Sequence, residues 1–404
     1  MKRHLVIAVA AFMTIGLCEA REIPRWIRKN CISPDGRTIA FCYKGDIYTV
    51  SSEGGRALQI TSNEAYESDP MWTSDSKYII FSSNRERGKD IYITSCEGGK
   101  PKRITDLPGN EVPKAVLNDG RIIFSANLQP DADYDGFPTT PQLFITDTTG
   151  KKPEFVTSLP ISEISVSKKG DVLYEDYKGY EDPFRKHHTS SVTRDIWLYR
   201  GDNGAERFSI DGNGRFKQLT TYKGEDRNPV FAADGDTFYY LSEKGGSTIN
   251  LFKSSISSPE QSIQLTFETK NPVRYISVSD NGLVTYSYNG DLYIIKEGSK
   301  PEKVDIYVTR DAIEKEMRKL SFSKGASSMS VAQSGKEVAV IIRGDVFVTS
   351  AEYKTTKRIT NTPEQERDVS FSKDGRELYY SSERNGHWGV YKTSMTDKND
   401  KYFT

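Results

Sequence analysis

The chain has 404 residues, of which 36% are hydrophobic and 28% charged, so it is long enough for two or three domains and can bury a core. Its 56 basic and 56 acidic side chains balance, which argues against the basic excess of a nucleic-acid-binding surface. No run of 18 or more apolar residues occurs, so the sequence predicts no membrane span.

The first twenty residues have the composition of an export signal. A basic start over residues 1–4 precedes an apolar run over residues 5–17, and small residues at 18 and 20 stand at the expected cleavage positions. We therefore predict a signal peptide at residues 1–20 and an exported, periplasmic protein. Secretion, or a lipid anchor through Cys18, is the alternative.

Three cysteines follow this signal: Cys31, Cys42 and Cys96. An odd number excludes a fully paired disulfide framework. The offset of Cys31 and Cys42 around a predicted hairpin turn is also wrong for directly opposed partners. We expect free, partly buried thiols.

A repeat of about 40 residues occupies the rest of the chain. The segment at residues 32–41 recurs at 72–81 and 370–380, and degenerate copies end at Phe124, Tyr174, Tyr240, Tyr286 and Val340. Most copies are followed by an Asp-Ile-Tyr-like element and then by an Ile-Thr or Leu-Thr element. Each unit holds four short β-runs separated by turn residues, which is the pattern of one propeller blade. The second run is apolar on successive residues, so we expect it to be buried on both faces between neighbouring blades.

The aspartates of the repeat have structural explanations. The Asp of each Pro-Asp-Gly copy is expected to form the tight turn between the first two strands. The Asp before each Ile-Tyr pair is expected to bond local backbone groups.

The spacing of the repeats predicts two propellers. Six blades occupy residues 21–304, a polar linker occupies 305–328, and two further blades occupy 329–404. The last blade lacks its closing strand, which would leave an unpaired edge, so we interpret the chain as a fragment. The predicted fold is all-β, with a six-bladed β-propeller followed by the first two blades of a second, incomplete propeller. One ring of eight blades is the alternative.

Long insertions in blades three and four are predicted to lie next to each other on one face of the first propeller. Elaborated loops on a rigid scaffold commonly bind ligands, so this face is the candidate binding surface. In blade three, Asp131, Asp133 and Asp135 resemble the first half of a calcium loop, and a solvated acidic loop is the other interpretation.

The blade-four insertion supplies the tentative substrate-binding residues Arg185, His187, His188 and Arg194. An arginine here can hold a peptide carboxylate, whereas a loop packed on the rim is the alternative. Adjacent histidines on an extended segment point opposite ways, so we predict no metal site. Because the chain has no nucleophile motif and no phosphate-binding loop, we assign no catalytic residue and no cofactor.

The Ser-Pro-Asp-Gly, Gly-Asp-Ile-Tyr and Arg-Ile-Thr elements resemble the repeats of the Tol-system translocation protein and the tricorn proteases. The stretches 185–199, 224–229 and 341–350 resemble the exported bacterial type of tricorn-like peptidase. This resemblance implies that the second propeller, begun at residues 329–404, is of the seven-bladed type. It also implies a non-catalytic propeller portion that guides or filters peptides for a serine peptidase whose catalytic residues lie in later domains. The implied partners are peptides, the chain's own C-terminal catalytic domains and further copies in a homo-oligomer. Two alternatives are a stand-alone periplasmic Tol-like propeller that binds an envelope protein, and a sugar- or lactone-processing propeller enzyme.

Overall fold

The structure is a computed structural model that describes residues 22–86, 88–128, 141–179, 190–201, 208, 210, 214–309 and 322–404. The predicted signal peptide and the aspartates 131, 133 and 135 lie outside the described residues. Within them, regular structure consists of strands and one short 3-10 turn, Arg384–Gly386, which confirms the all-β prediction. The chain forms two compact units, residues 1–311 and 312–404.

The described part of the first unit contains six sheets whose strands follow chain order. The first two sheets are formed by β1 (Arg28–Ile32), β2 (Thr38–Tyr43), β3 (Asp46–Ser51), β4 (Gly55–Gln59), and by β5 (Glu67–Trp72), β6 (Tyr78–Ser83), β7 (Asp90–Ser95), β8 (Lys102–Arg103). The next two are formed by β9 (Glu111–Val116), β10 (Ile122–Ala126), β11 (Gln142–Thr146), β12 (Glu154–Thr157), and by β13 (Ile161–Val166), β14 (Val172–Asp176), β15 (Ile196–Arg200), β16 (Arg215–Gln218). The last two are formed by β17 (Asp226–Phe231), β18 (Thr237–Ser242), β19 (Asn250–Ser255), β20 (Ile263–Gln264), and by β21 (Arg274–Val278), β22 (Val284–Tyr288), β23 (Asp291–Ile295), β24 (Glu302–Lys303).

These six sheets close into a ring. The innermost strand of each sheet (β1, β5, β9, β13, β17 or β21) lies beside the innermost strand of the next, and β21 lies beside β1. Asn30 of β1 accepts a hydrogen bond from Ser287 at 2.7 Å and donates one to Thr285 at 3.1 Å, both in the sixth sheet. A sheet that turns one apolar face to each neighbour around an axis is the propeller arrangement.

The second strand of each sheet lies in the core, as its apolar run predicts. In β6, the consecutive residues Ile79, Ile80 and Phe81 are fully buried. Because successive side chains on a strand point to opposite faces, both faces of this strand must be covered. The ring of Phe81 also stacks on Tyr92 of the next strand, with centroids 6.0 Å apart.

One more strand joins this unit from within the predicted linker. β25 (Ile306–Val308) pairs in parallel with β4 as a fifth strand of the first sheet, and Glu22 forms an isolated bridge to Val308. The side chains of Ile306 and Val308 are buried in the core between the first and sixth sheets. The first unit therefore extends beyond residue 304, where the repeat ends. A segment of three residues without the repeat pattern is too short to be recognised as a strand from the sequence.

The described part of the second unit contains two sheets. They are formed by β26 (Ala326–Val331), β27 (Glu337–Ile342), β28 (Asp345–Ser350), β29 (Thr356–Arg358), and by β30 (Glu366–Phe371), β31 (Glu377–Ser382), β32 (Gly389–Ser394). Their shared core includes Ile341, Val346, Leu378 and Tyr380, and Phe403 packs against it.

The two sets of repeat aspartates have different roles. Asp35 accepts hydrogen bonds from the amide of Arg37 at 3.0 Å and from Ser33 Oγ at 2.5 Å, which confirms its role in the first turn. The expectation for the Asp before each Ile-Tyr pair is corrected. Its carboxylate reaches across the sheet to a side chain of the fourth strand, in the pairs Asp46–Gln59, Asp90–Arg103, Asp291–Lys303 and Asp345–Arg358. Because this partner lies 12 or 13 residues further along the chain, a local reading of the sequence does not find it.

A threonine of each Ile-Thr or Leu-Thr element secures the start of the third strand. Thr61, Thr105, Thr220, Thr266 and Thr360 each accept a hydrogen bond from a backbone amide there at 2.9 Å. This satisfies an amide that the ladder leaves open in a buried position. It gives the recurring threonine a physical reason.

A buried acid opens the innermost strand of several sheets, and its environment differs between them. Glu67 is paired with Arg85, and Glu366 lies 3.4 Å from Arg384. In the third sheet Leu128 occupies the position of these arginines, and Glu111 is held by Thr105 and by the amide of Leu107 at 2.8 Å. Burial, reinforced by the negative charge of Asp90 and opposed by these hydrogen bonds and by Arg103, raises the pKa of Glu111 to about 7.

We expect Glu111→Gln to change how the stability of the protein depends on pH. Because the pKa of Glu111 is higher in the folded state than in the unfolded chain, its stabilising contribution is complete below the ordinary value of 4.5 and is lost as the pH rises to about 7. The variant should therefore be more stable than the wild type at about pH 8, by roughly 2 kcal/mol, and the two should converge near about pH 5. Urea unfolding across this range measures the effect, with the exposed Glu97→Gln as control. Parallel pH profiles for Glu111→Gln and the wild type would contradict the prediction.

Candidate functional site

The predicted substrate-binding residues divide between described and undescribed parts of the chain. Arg185, His187 and His188 lie outside the described residues. Arg194 lies two residues before the start of β15 and is 5% exposed. Its Nη1 donates to Glu175 Oε1 at 2.8 Å, and its guanidinium lies over the ring of Tyr177 with 5.6 Å to the centroid. A peptide carboxylate would have to compete with the buried Glu175 for this cation.

Glu175 connects Arg194 to the axis of the ring. Its second carboxylate oxygen accepts a hydrogen bond from the backbone amide of Asn228 at 2.8 Å, and Arg227 lies 3.6 Å from its first oxygen. Asn228 belongs to the innermost strand β17 and lines the space around the axis. The buried pair of Arg194 and Glu175 thus holds the backbone of Asn228 beside the axis. The role of Arg194 in binding substrate stays a prediction.

One cavity of the first unit lies on the axis of the ring. We call it the axial cavity. It has a volume of about 310 Å³ and is lined by residues from all six innermost strands. Sites for small ligands are commonly concave, with few polar groups among apolar ones, and its walls have this mixture. The axial cavity is therefore the candidate functional site that the structure describes.

Irregularities in the innermost strands direct polar side chains into this cavity. Each of the six strands has a register shift against its neighbour, as at a β-bulge. A bulge re-aims a side chain and bends the strand. One lining residue at or beside each shift forms what we call the polar girdle: Lys29, Asp69, Lys114, Glu163, Asn228 and Tyr275. Four of these, all but Lys114 and Glu163, have φ between +49° and +56°.

Charges of alternating sign interact across the polar girdle. Lys29 Nζ lies 3.0 Å from Asp69 Oδ1, and Lys114 Nζ lies 3.1 Å from Glu163 Oε1. The ammonium group of Lys29 also lies over the ring of Tyr275, 5.5 Å from its centroid. The girdle therefore offers both cationic and anionic groups at one level of the cavity.

The electrostatic environment favours the charged forms of Lys29, Asp69 and Glu163. Burial disfavours the ammonium form of Lys29, but Asp69 and Glu163 outweigh this effect and raise its pKa. Burial likewise opposes the charged forms of Asp69 and Glu163, yet the nearby lysines lower the pKa of both carboxyl groups.

The next layer of the cavity has smaller and less polar side chains. One residue comes from each innermost strand: Cys31, Met71, Ala115, Ser165, Val230 and Ser277. The thiol of Cys31 is free, like those of Cys42 and Cys96, and burial raises its pKa, so it stays protonated at neutral pH. This layer is an apolar, partly hydroxylated wall below the charged girdle.

Beyond this layer an ion pair reaches over the end of the cavity. Lys168 Nζ, in the first turn of the fourth sheet, lies 2.9 Å from Asp280 Oδ2, in the first turn of the sixth. These sheets are not neighbours in the ring, so the pair bridges across the turn of the fifth. Both side chains are about half exposed, as expected for a surface contact.

Sequence reasoning missed the polar girdle, although a signal was present. Pro70, Pro113 and Pro229 stand inside innermost strands. Proline within a sheet is confined to edges and bulges, because it cannot donate to the ladder. A proline in a central position of the repeat therefore marks the bulge, and the residue beside it faces the axis.

Two searches among the described residues bear on metals and membranes. No group of three or more His, Cys, Asp and Glu side chains is arranged there to hold a metal ion. No helix in this part of the chain has the length and hydropathy to cross a bilayer.

A family model described as the tricorn protease N-terminal beta propeller domain matches residues 25–301. The chain belongs to this family. The match confirms the resemblance to tricorn proteases noted from the repeats and agrees with the ring of sheets. It covers the strands that form the axial cavity.

Two curated proteins and one solved structure are similar to this chain. Tricorn protease homolog 1 of Streptomyces coelicolor is 21% identical over 344 residues, which cover 82% of this chain and 29% of the relative. A protein TolB homolog of Chlorobium chlorochromatii is 27% identical over 173 residues, which cover 41% of this chain and 31% of that protein. The crystal structure of the tricorn protease superposes with a TM-score of 0.58 at 16% identity, over 92% of this chain and 44% of that one, which shows a shared fold. The chain spans less than a third of the length of these two curated relatives.

Proposed function

We propose that this chain is the non-catalytic propeller portion of an exported tricorn-like serine peptidase and guides or filters peptides for proteolysis. Its partners in this role are peptides, the peptidase's catalytic domains and other copies in a homo-oligomer. The observation that carries the proposal is the match of the tricorn propeller family to residues 25–301.

The axial cavity supports this role through its charges. A peptide carries an ammonium group, a carboxylate and a neutral polar backbone, and the polar girdle presents partners of both signs. Complementary charges favour encounter and orientation more than they favour tight binding. Weak, oriented binding suits a component that passes peptides onward.

A stand-alone propeller that binds an envelope protein is the second candidate. The similarity to the TolB homolog favours it. Affinity purification of the tagged protein from its native envelope separates the two candidates. One stoichiometric protein partner without peptide binding would support the second, whereas peptide binding without such a partner would support the first.

We expect Arg185→Ala to weaken binding of peptides that end in a free carboxylate, by about tenfold, because a charge-assisted hydrogen bond is lost. Fluorescence anisotropy with labelled peptides of about eight residues, either free or amidated at the C-terminus, measures the effect. Arg215→Ala, in the exposed strand β16, is the matched control. Equal affinity of the wild type and Arg185→Ala for the free peptide would refute the role of Arg185.

A further inference from the structure

Polar contacts lie at two levels of the axial cavity. At one, the pairs Lys29–Asp69 and Lys114–Glu163 lie within the polar girdle. At the other, the pair Lys168–Asp280 bridges turns of non-neighbouring sheets. The cavity volume of about 310 Å³ lies at the lower end of the range for small-ligand sites. A space of this kind suits a small solute held in place.

Two charges of the girdle are more accessible than the others. The side chain of Lys29 is 40% exposed and that of Glu163 is 28% exposed, against 14% for Asp69 and 13% for Lys114. Lys29 comes from the first sheet and Glu163 from the fourth, so they stand on opposite sides of a six-sheet ring. Glu163 is one of the groups that raise the pKa of Lys29, as expected for opposite charges that line the same cavity.

This arrangement selects for a ligand that carries both charges. A carboxylate placed near Lys29 and an ammonium group placed near Glu163 would each gain a charge-assisted hydrogen bond. A purely anionic ligand would meet Asp69 and Glu163 as well, and a purely cationic one would meet both lysines. A compact zwitterion can satisfy both of the more accessible charges, Lys29 and Glu163, at the same time, whereas a ligand with a single charge can satisfy only one of them.

The layer below the girdle indicates the side chain of such a ligand. Met71 and Val230 supply apolar surface there, while Ala115, Ser165 and Ser277 are small and leave room. An aliphatic side chain directed into this layer loses its contact with water, which favours binding. The thioether of Met71 adapts readily to irregular shapes.

We propose that the axial cavity binds a free α-amino acid with an aliphatic side chain, its carboxylate at Lys29 and its ammonium group at Glu163. Asp69 holds the ammonium group of Lys29 in position, and Lys114 holds the carboxylate of Glu163. The inference rests on the proposed function, because a propeller that handles peptides meets amino acids as the end products of hydrolysis.

The test is a calorimetric titration of the full chain with leucine, N-acetyl-leucine and leucinamide. We expect leucine to bind, and the two analogues, each lacking one charge, to bind at least about tenfold more weakly. No leucine binding up to about 10 mM, or equal affinity for the three compounds, would overturn the inference. This series needs no variant, so it does not depend on whether a variant folds.

Two variants then place the ligand. Glu163→Gln should weaken leucine binding by at least about tenfold and leave N-acetyl-leucine unaffected, while Lys29→Met should do the same with leucinamide unaffected. Lys151→Ala, which removes an exposed ion pair away from the cavity, is the control. A folded Glu163→Gln that binds leucine as the wild type does would overturn the assigned site. Peptide binding without leucine binding would refute this inference alone, whereas loss of both would refute the proposed function as well.

Discussion

Arg194→Ala should destabilise the protein by about 3–5 kcal/mol, because it leaves the buried carboxylate of Glu175 without its closest cation. Both side chains are almost fully shielded from water, so solvent cannot replace the lost partner. The change should also loosen Asn228 at the axial cavity, since Glu175 holds its backbone amide. Urea unfolding measures the loss as a lower midpoint with an unchanged slope.

Arg200→Ala is the matched control for this prediction. Arg200 ends the same strand, β15, and lies 3.0 Å from Asp171, but its side chain is 48% exposed. Its removal should change the stability by no more than about 1 kcal/mol. If Arg194→Ala were no more destabilising than Arg200→Ala, the buried pair would not have the role assigned here, and a role of Arg194 in holding substrate would gain support.

The double substitution Ile306→Ala with Val308→Ala should destabilise the first unit by about 3–6 kcal/mol. Both side chains are buried between the first and sixth sheets, where the ring closes. Truncating them removes apolar contacts and leaves cavities beside β4. Hydrogen exchange should be faster in β4 and β25 than in the wild type, in addition to the lower urea midpoint.

Ile263→Ala provides the comparison for this second effect. Ile263 also lies on an outer strand, β20, but is 63% exposed, so its truncation should change the stability by no more than about 0.5 kcal/mol. If the double variant lost no more stability than Ile263→Ala, β25 would have no part in closing the ring.

The blades were predictable from the sequence because their signals are local. A run such as Tyr78–Phe81 together with the Asp-Ser turn at residues 75–76 just before it sets strand, turn and burial within one window. Repetition of that window then implies a ring, since no single blade can cover its own apolar faces. The resemblance to tricorn-like peptidases came from the repeated elements together with particular stretches, chiefly residues 185–199.

The candidate site was not predictable in the same way, because its contacts are long-range. Lys29 and Asp69 are 40 residues apart in the sequence, and Asn228 lies 53 residues from the carboxylate that holds its amide. The side chain of Arg194 was expected to face a ligand, and nothing within its own loop shows that Glu175 reaches it first. Only the β-bulges marked by Pro70, Pro113 and Pro229 gave a local signal for residues that face the axis.

The way the ring closes has a mechanical consequence. The chain leaves the sheets through β25, a strand of three residues whose pairing with β4 is parallel. Any tension applied to the chain beyond Val308 reaches this strand before it reaches a four-stranded sheet. Under load, β25 should be the first strand to detach. A force-extension curve should then show a small early rupture ahead of the main unfolding event.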